Sequence, residues 1–335
     1  MSKRLKLAPQ AILNTSIPKY HNLFFSVIIP TYNRLPILQK CLAALSQQCL
    51  SPPHTYEVIV VDDGSTDKTL SWLHAQAFPQ LQHYCQSHQG PAAARNLGLQ
   101  MARGDTIVFI DSDLVVTESF LQSHAEVLQA AQQRLGHDRL FTYGRVIQTC
   151  NFADPSATPY KLSDYSAAYF ATGNVAIGRH WLEQTGGFDS SFQQYGWEDL
   201  ELGVRLQQLG LKLVKAPKAV GYHWHPPFSL DQLPQLIEQE QQRGRMGAQF
   251  YLKHSTLPVK MMVQLTIWHR LLWGLLTLQG HLNEQSLNPL LQFLIRHHHP
   301  QIALGIARIF LNWYQVQSTH RAYIQHREID LSTQN

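Results

Sequence analysis

Apolar positions in the first 120 residues follow two rhythms in turn. Phe25-Ser-Val-Ile-Ile29 is a short β-branched run that stops at Pro30. Leu35, Leu38, Leu42 and Leu45 follow at three- and four-residue spacing, with Pro36 suited to a first helical turn, so strand gives way to helix. The pattern repeats. It predicts a second strand over 56–61, then a turn over 62–67 whose Ser65 caps a helix running through Leu70 and Leu73. A third strand near 81–85, a helix near 92–102 and a fourth strand over 106–110 complete the series.

Continuous apolar strands separated by helices predict an α/β fold with a mostly parallel, Rossmann-like sheet covered on both faces. Ligands in such sheets bind beyond the carboxyl ends of the strands. Pro30-Thr-Tyr-Asn33, Asp62-Asp63 and Asp111-Ser112-Asp113 each follow a predicted strand, so all three converge on one edge as one site. From about Asp231 the texture becomes Gln/Leu-rich and helical. This divides the chain into an N-terminal extension (1–23), an α/β domain (24–230) and a helical extension (231–335).

Composition sharpens this outline. At 335 residues the chain has the length of about two domains. Charged residues are 15% against a typical ~25%, while 35 glutamines make much of the polar surface neutral. With 44% hydrophobic residues and a net charge of +4, disorder is excluded. The charge is uneven: residues 241–335 carry nine Lys/Arg and three acids, a surplus of +6. Cys41, Cys49, Cys85 and Cys150 form no CxxC, which fits a reducing compartment and neither zinc nor a disulfide framework. The first twenty residues hold no continuous apolar run of signal-peptide length, and the apolar stretch 261–278 is broken by Gln264, His269 and Arg270, short of a spanning helix. The expected location is cytoplasmic, either free or peripheral at the inner face of the cell membrane.

Neither GxGxxG after a strand nor GxxxxGK[ST] is present, which removes the main signal for a dinucleotide oxidoreductase and for a P-loop NTPase. Asp111-Ser112-Asp113 sets two carboxylates at i and i+2 beyond a strand, where they can present oxygen to one hard divalent cation; taken alone, a D-S-D is as readily a solvated turn. Context changes the weighting. Phe25-Ser-Val-Ile-Ile-Pro-Thr-Tyr-Asn-Arg34, Val58-Ile-Val-Val-Asp-Asp-Gly-Ser-Thr-Asp67, Gly90-Pro-Ala-Ala-Ala-Arg-Asn-Leu-Gly98 and Phe109-Ile-Asp-Ser-Asp113, in this order, resemble the family 2 glycosyltransferases of GT-A fold.

That resemblance spans roughly residues 24–225 and implies transfer of a sugar from a nucleoside diphosphate donor, usually a UDP-sugar, with Mn²⁺ or Mg²⁺ and inversion at the anomeric carbon. It places Pro30 and Tyr32 at the base pocket and has Asp63 read the base. Arg95 falls beside the nucleotide diphosphate. Asp113 becomes the expected metal ligand, Asp111 faces the ribose or a metal-bound water and is counted in both the metal and the nucleotide-sugar sites, and Ser112 is a nucleotide-sugar-binding residue. A second block, Gly186 to Gly203, looks like the galactosyltransferase-type C-terminal half of such enzymes, in which Gly196-Trp-Glu-Asp199 opens a helix facing the donor sugar. The resemblance makes Asp199 the general base, Glu198 a holder of acceptor or donor hydroxyls, and Trp197 a donor-side residue. Acids in a first helical turn also suit the helix dipole. Gly173 would leave room for the sugar ring and Asn174 would bond it. In Tyr222-His-Trp-His225 the two histidines alternate onto one face, so either can reach a metal, and the resemblance favours His223 over His225.

Two other readings stay in view: a nucleotidyltransferase, which wants a Gly-rich basic loop after the first strand that Pro30–Arg34 does not supply, and a non-catalytic nucleotide-sugar-binding subunit. No nucleic-acid partner is expected. The acceptor is a glycan or lipid-linked hydroxyl, and the stretches 261–278 and 301–314, with their tryptophans and basic neighbours, read either as interfacial helices on a membrane or as packing helices.

Overall fold

The computed structural model describes residues 22–333. The N-terminal extension expected over 1–23 therefore lies outside the described residues except at its end. The first half builds as β1 (Phe24–Thr31), α1 (Leu35–Ser46), β2 (Thr55–Asp62), α2 (Thr69–His74), β3 (Leu81–Cys85), α3 (Pro91–Met101) and β4 (Thr106–Ile110). β1 runs one residue past Pro30, because β4 pairs only up to Ile28 and no ladder bond on that side asks for the missing proline N–H. Ser65 caps nothing: α2 starts at Thr69, and the Ser65 hydroxyl instead donates to Asp62 and accepts the Asn33 N–H (2.8 Å).

The second half continues with β5 (Leu114–Val116), α4 (Phe120–Leu135), β6 (Leu140–Thr149), β7 (Asn174–Gly178), α5 (Arg179–Thr185), α6 (Glu198–Gln208) and β8 (Lys212–Trp224). All eight strands form one sheet in the order β3-β2-β1-β4-β7-β6-β8-β5. The predicted parallel pairing holds from β3 to β4; beyond that the sheet is mixed, since β7 runs antiparallel to β4 and β6, and β5 antiparallel to β8. One apolar layer sits between the sheet and α1 and α4, the other between the sheet and α3, α5 and α6.

α3 lies on β1 at the closest range a helix can take. A Cβ on Gly98 would come within 2.4 Å of the Ile28 Cγ2. Ile28 is fully buried and β-branched, so it cannot swing aside. Gly98→Val is expected to destabilise the fold by about 1–3 kcal/mol, read as a lowered midpoint in chemical denaturation.

After β8 the chain is helical: α7 (Leu233–Lys253), α8 (Leu257–Met262), α9 (Ile267–Leu276), α10 (Asn288–Arg296) and α11 (Pro300–Thr333). Leu233 of α7, Leu291 of α10 and Ala307 and Phe310 of α11 enclose one small core. A second core joins Phe250 of α7 and Val259 of α8 to Phe192 and Trp197, just ahead of α6. The helices are thus bolted to the end of the sheet from which α6 starts. No described helix is long and apolar enough to cross a membrane.

Candidate active site

The carboxyl ends of β1, β2 and β4 bring Tyr32, Asp63 and Asp111–Asp113 to one edge, as the strand pattern requires. β5 completes the site through its register. Leu114 pairs with His223, and the Trp224 N–H donates to the Asp113 carbonyl (2.9 Å), so β8 delivers a histidine beside the carboxylate that precedes β5. His223 Nε2 lies 3.0 Å from Asp113 Oδ1, and its Nδ1 faces Gln148 Oε1 at 3.0 Å. Ligand atoms of Asp111, Asp113 and His223 lie within 4.8 Å of one another. Two carboxylates and an imidazole form a donor set suited to Mn²⁺ or Mg²⁺, with the nitrogen favouring the former. His225 turns elsewhere, its Nδ1 3.5 Å from the Cys150 sulfur.

Asp113 is almost fully buried. Burial alone would push its carboxyl up, yet the hydrogen bond and charge of His223, and the charge of Arg34, hold it below the ordinary carboxylate range. His223 is correspondingly held above its usual value by Asp113 and Asp111, against the effect of burial. The Arg34 guanidinium donates to Asp113 from a half-exposed side chain. Ser112 is buried between the two acids. A Cβ on Gly173 would stand 3.2 Å from Asp111 Oδ2, so the glycine gives that carboxylate its space.

The acidic start of α6 faces this set through Arg95. Its guanidinium, 4% exposed, donates to Glu198 Oε1 (3.0 Å) and to Asp111 Oδ1 (3.1 Å). One cation therefore ties the metal-site carboxylate to the helix that carries Asp199. Asp199 accepts the Leu200 N–H (2.8 Å). Burial and the adjacent Glu198 charge push its carboxyl up to about 7, with Arg95 pulling the other way and Asp111 adding to the rise. A carboxyl poised there can exchange a proton near neutral pH, which is what a general base requires.

Four of the expected site residues have partners within the protein. Asn174 is fully buried: its amide donates to the Arg145 and Ala219 carbonyls (3.1 and 3.0 Å) and its oxygen meets His124 Nε2 (2.9 Å), so nothing is left for a sugar. Trp197 points away from the donor side into the junction with the helical extension, where its Nε1 donates to the Arg243 carbonyl (2.7 Å) under the Arg243 guanidinium. Asp63 spends its oxygens on the loop after β3, accepting the Gln89 and Gly90 N–H groups (2.9 Å each) and the Gln86 amide (2.7 Å). Arg95 reaches Glu198 and Asp111 through its two terminal nitrogens, while its buried Nε has no hydrogen-bond partner. Pro30 lies in β1 beside Val61, one residue before its end, and Tyr32 is exposed, stacked on His88 with ring centroids 4.3 Å apart.

The sequence model described as glycosyl transferase family 2 matches residues 26–179, and that described as the N-terminal domain of galactosyltransferase matches residues 156–227. Residues 26–179 of the chain are thus a family 2 glycosyltransferase region, followed by a galactosyltransferase-type segment. The chondroitin synthase of Pasteurella multocida (strain Pm70) is 30% identical over 252 residues, 63% of this chain. Glycosyltransferase AglE of Haloferax volcanii is 27% identical over 269 residues, covering 79% of this chain and 85% of that protein. The chain spans about a quarter of the length of the chondroitin and hyaluronan synthases of Pasteurella multocida that it matches. Among solved structures, the mannosyltransferase PcManGT from Pyrobaculum calidifontis, in complex with GDP-Man and Mn²⁺, superposes with a TM-score of 0.52 at 19% identity, covering 94% of this chain and 89% of that one. The fold is GT-A.

Several residues of the site carry no local sequence signal. Arg34 and Gln148 reach Asp113 and His223 from 79 and 75 positions away. Arg243 and His254 come from the helical extension, His254 Nε2 lying 2.8 Å from the buried Glu201 one turn into α6. Trp197 itself holds a left-handed backbone (φ 76°) immediately before Glu198, a conformation costly for a bulky residue and fixed here by the α7 contacts.

Proposed function

We propose that the protein is an inverting, metal-dependent glycosyltransferase that moves a sugar from a nucleoside diphosphate donor to a hydroxyl of a glycan or lipid-linked acceptor. The observation that carries the reading is the tie through Arg95 between a three-ligand divalent site and the acidic start of α6. Asp111, Asp113 and His223 would hold the cation, which when bound offsets charge on a departing diphosphate. Asp199 takes the proton of the acceptor hydroxyl; the acceptor oxygen bonds to the anomeric carbon from the face opposite the leaving group; the bond from that carbon to the diphosphate oxygen breaks, its electrons going to the diphosphate. Glu198 and Arg95 hold Asp199 and Asp111 in one frame. Tyr32 and His88 offer an aromatic ledge at the base end, and Gly173 leaves space beside Asp111 for a sugar ring.

UDP-sugars lead the donor candidates and GDP-mannose follows, since the PcManGT complex contains GDP-Man. Incubation with each donor, Mn²⁺ and a panel of glycan and lipid-linked acceptors should release nucleoside diphosphate. Release of pyrophosphate instead would make the chain a nucleotidyltransferase, and binding without any release would make it a nucleotide-sugar-binding subunit. The pH profile gives a second test. Because the acting form of Asp199 is the carboxylate and its value is raised to about 7, kcat/KM should climb about tenfold per pH unit below 7 and level off above it. A profile flat from pH 5.5 to 8.5 would exclude Asp199 as the base.

A further inference from the structure

The helical extension leaves a large apolar face uncovered. On α9, Ile267, Trp268, Leu271, Leu272, Leu275 and Leu276 recur at one- and three-residue steps along a single side, Trp268 being 76% and Leu275 71% exposed. The opposite side is the one that packs: Gly274 is buried, and the Trp273 Nε1 donates to Gln264 Oε1 (2.6 Å). The two tryptophans of one helix thus face opposite ways, and only Trp273 is spent on the fold. Met261 at the end of α8 and Phe293 on α10 add to the uncovered surface, at 50% and 57% exposure. Scattered exposed apolar residues are ordinary, whereas a helix that shows six along one side marks a docking face.

The charge around this face selects its occupant. From residue 254 to 335 the chain carries six Lys/Arg and three acids, Glu284, Glu328 and Asp330, of which Glu284 is engaged by the Tyr314 hydroxyl (2.7 Å). Arg270 lies exposed within α9, Arg296 at the exposed end of α10, and Lys260 on α8. An apolar stripe with an outward tryptophan, on a helix whose one charged residue is the exposed Arg270 and in a stretch with a cationic surplus, matches the interface of an anionic bilayer, where such a helix lies in the plane with its apolar side roughly 5–10 Å below the headgroups. A protein partner or a second copy of this chain would not call for so one-sided a charge. We propose that α9 docks the protein on an anionic lipid surface. The inference rests on the exposed side chains and is independent of the sugar-transfer reading.

The test is flotation of the full chain with vesicles of phosphatidylcholine alone or of phosphatidylcholine mixed with phosphatidylglycerol. The anionic vesicles should capture at least tenfold more protein at low salt, with a blue shift of tryptophan emission that Trp268→Phe abolishes. The double variant Trp268→Gln/Leu275→Gln, changed only at exposed positions, should lose capture at least tenfold while keeping its circular dichroism and its release of nucleoside diphosphate from a water-soluble acceptor mixture. Arg270→Glu should reduce capture and its salt dependence. Equal capture by both vesicle types, capture unchanged in the double variant, or a concentration-dependent dimer that the double variant dissolves would each overturn the assignment. Loss of diphosphate release in every form would strike the sugar-transfer reading and leave this one standing.

Discussion

Asp199→Asn lowers the transfer rate by about 10²–10⁴-fold while donor affinity stays within about threefold, the pattern expected when a positioned proton acceptor is removed and the binding surface is kept. The amide is isosteric with the carboxyl and can still accept the Leu200 N–H, so the backbone at the start of α6 need not move. The loss therefore falls on kcat. A second consequence separates this from simple damage. The native Asp199 carboxyl is raised above its ordinary value by burial and by Glu198. Folding therefore favours its protonated form, and the cost of ionising it is absent near pH 4, grows as pH rises, and is complete above about 7. Asparagine carries no such cost. The variant should be inactive yet have a higher melting temperature than the parent at pH 8, with the gap closing toward pH 4.5. Comparable turnover, or a variant less stable at pH 8, would reject both the role and the electrostatic account.

Much of this site is legible in the sequence because its residues sit at strand ends. Polar clusters after Ile29, Val61 and Ile110 must share an edge once the strands are parallel, and they do. The choice between the two histidines is set by long-range geometry. His223, which the resemblance favoured and strand alternation alone left level with His225, meets Asp113 through the antiparallel register of β5 on β8. Asn174 misleads for the opposite reason: it begins β7, a strand that pairs between β4 and β6 and so is sealed on both sides, and its side chain is drawn into a core hydrogen-bond group with His124. Burial pushes His124 down to about 4, which keeps the imidazole neutral in that group.

Trp197 shows how the helical extension enters the site without touching a ligand. A tryptophan before two acids reads as a donor-side residue, but its ring packs on Phe250 and its Nε1 is bound by α7. The extension thereby fixes the left-handed turn that aims Glu198 and Asp199, and His254 adds a contact to Glu201 on the inner side of α6. A linear motif cannot display this, because the two partners lie 46 and 53 residues downstream.

Asp113→Asn addresses the other pole of the site. The substitution keeps the volume of a nearly buried side chain and removes the negative charge that His223 and Arg34 face. Titration calorimetry with a sugar nucleotide in Mn²⁺ should show donor affinity lowered by at least tenfold, about 1.4 kcal/mol or more. EDTA should impose a loss of the same size on the parent protein and little further loss on the variant, since both treatments remove the same contribution. The cost to stability should be modest, because His223 keeps Gln148 as a partner and Asp111 nearby within the cleft. If EDTA weakened the variant as much as the parent, the cation would be held by other groups, and the convergence of β4, β5 and β8 on Asp113 would serve the fold alone.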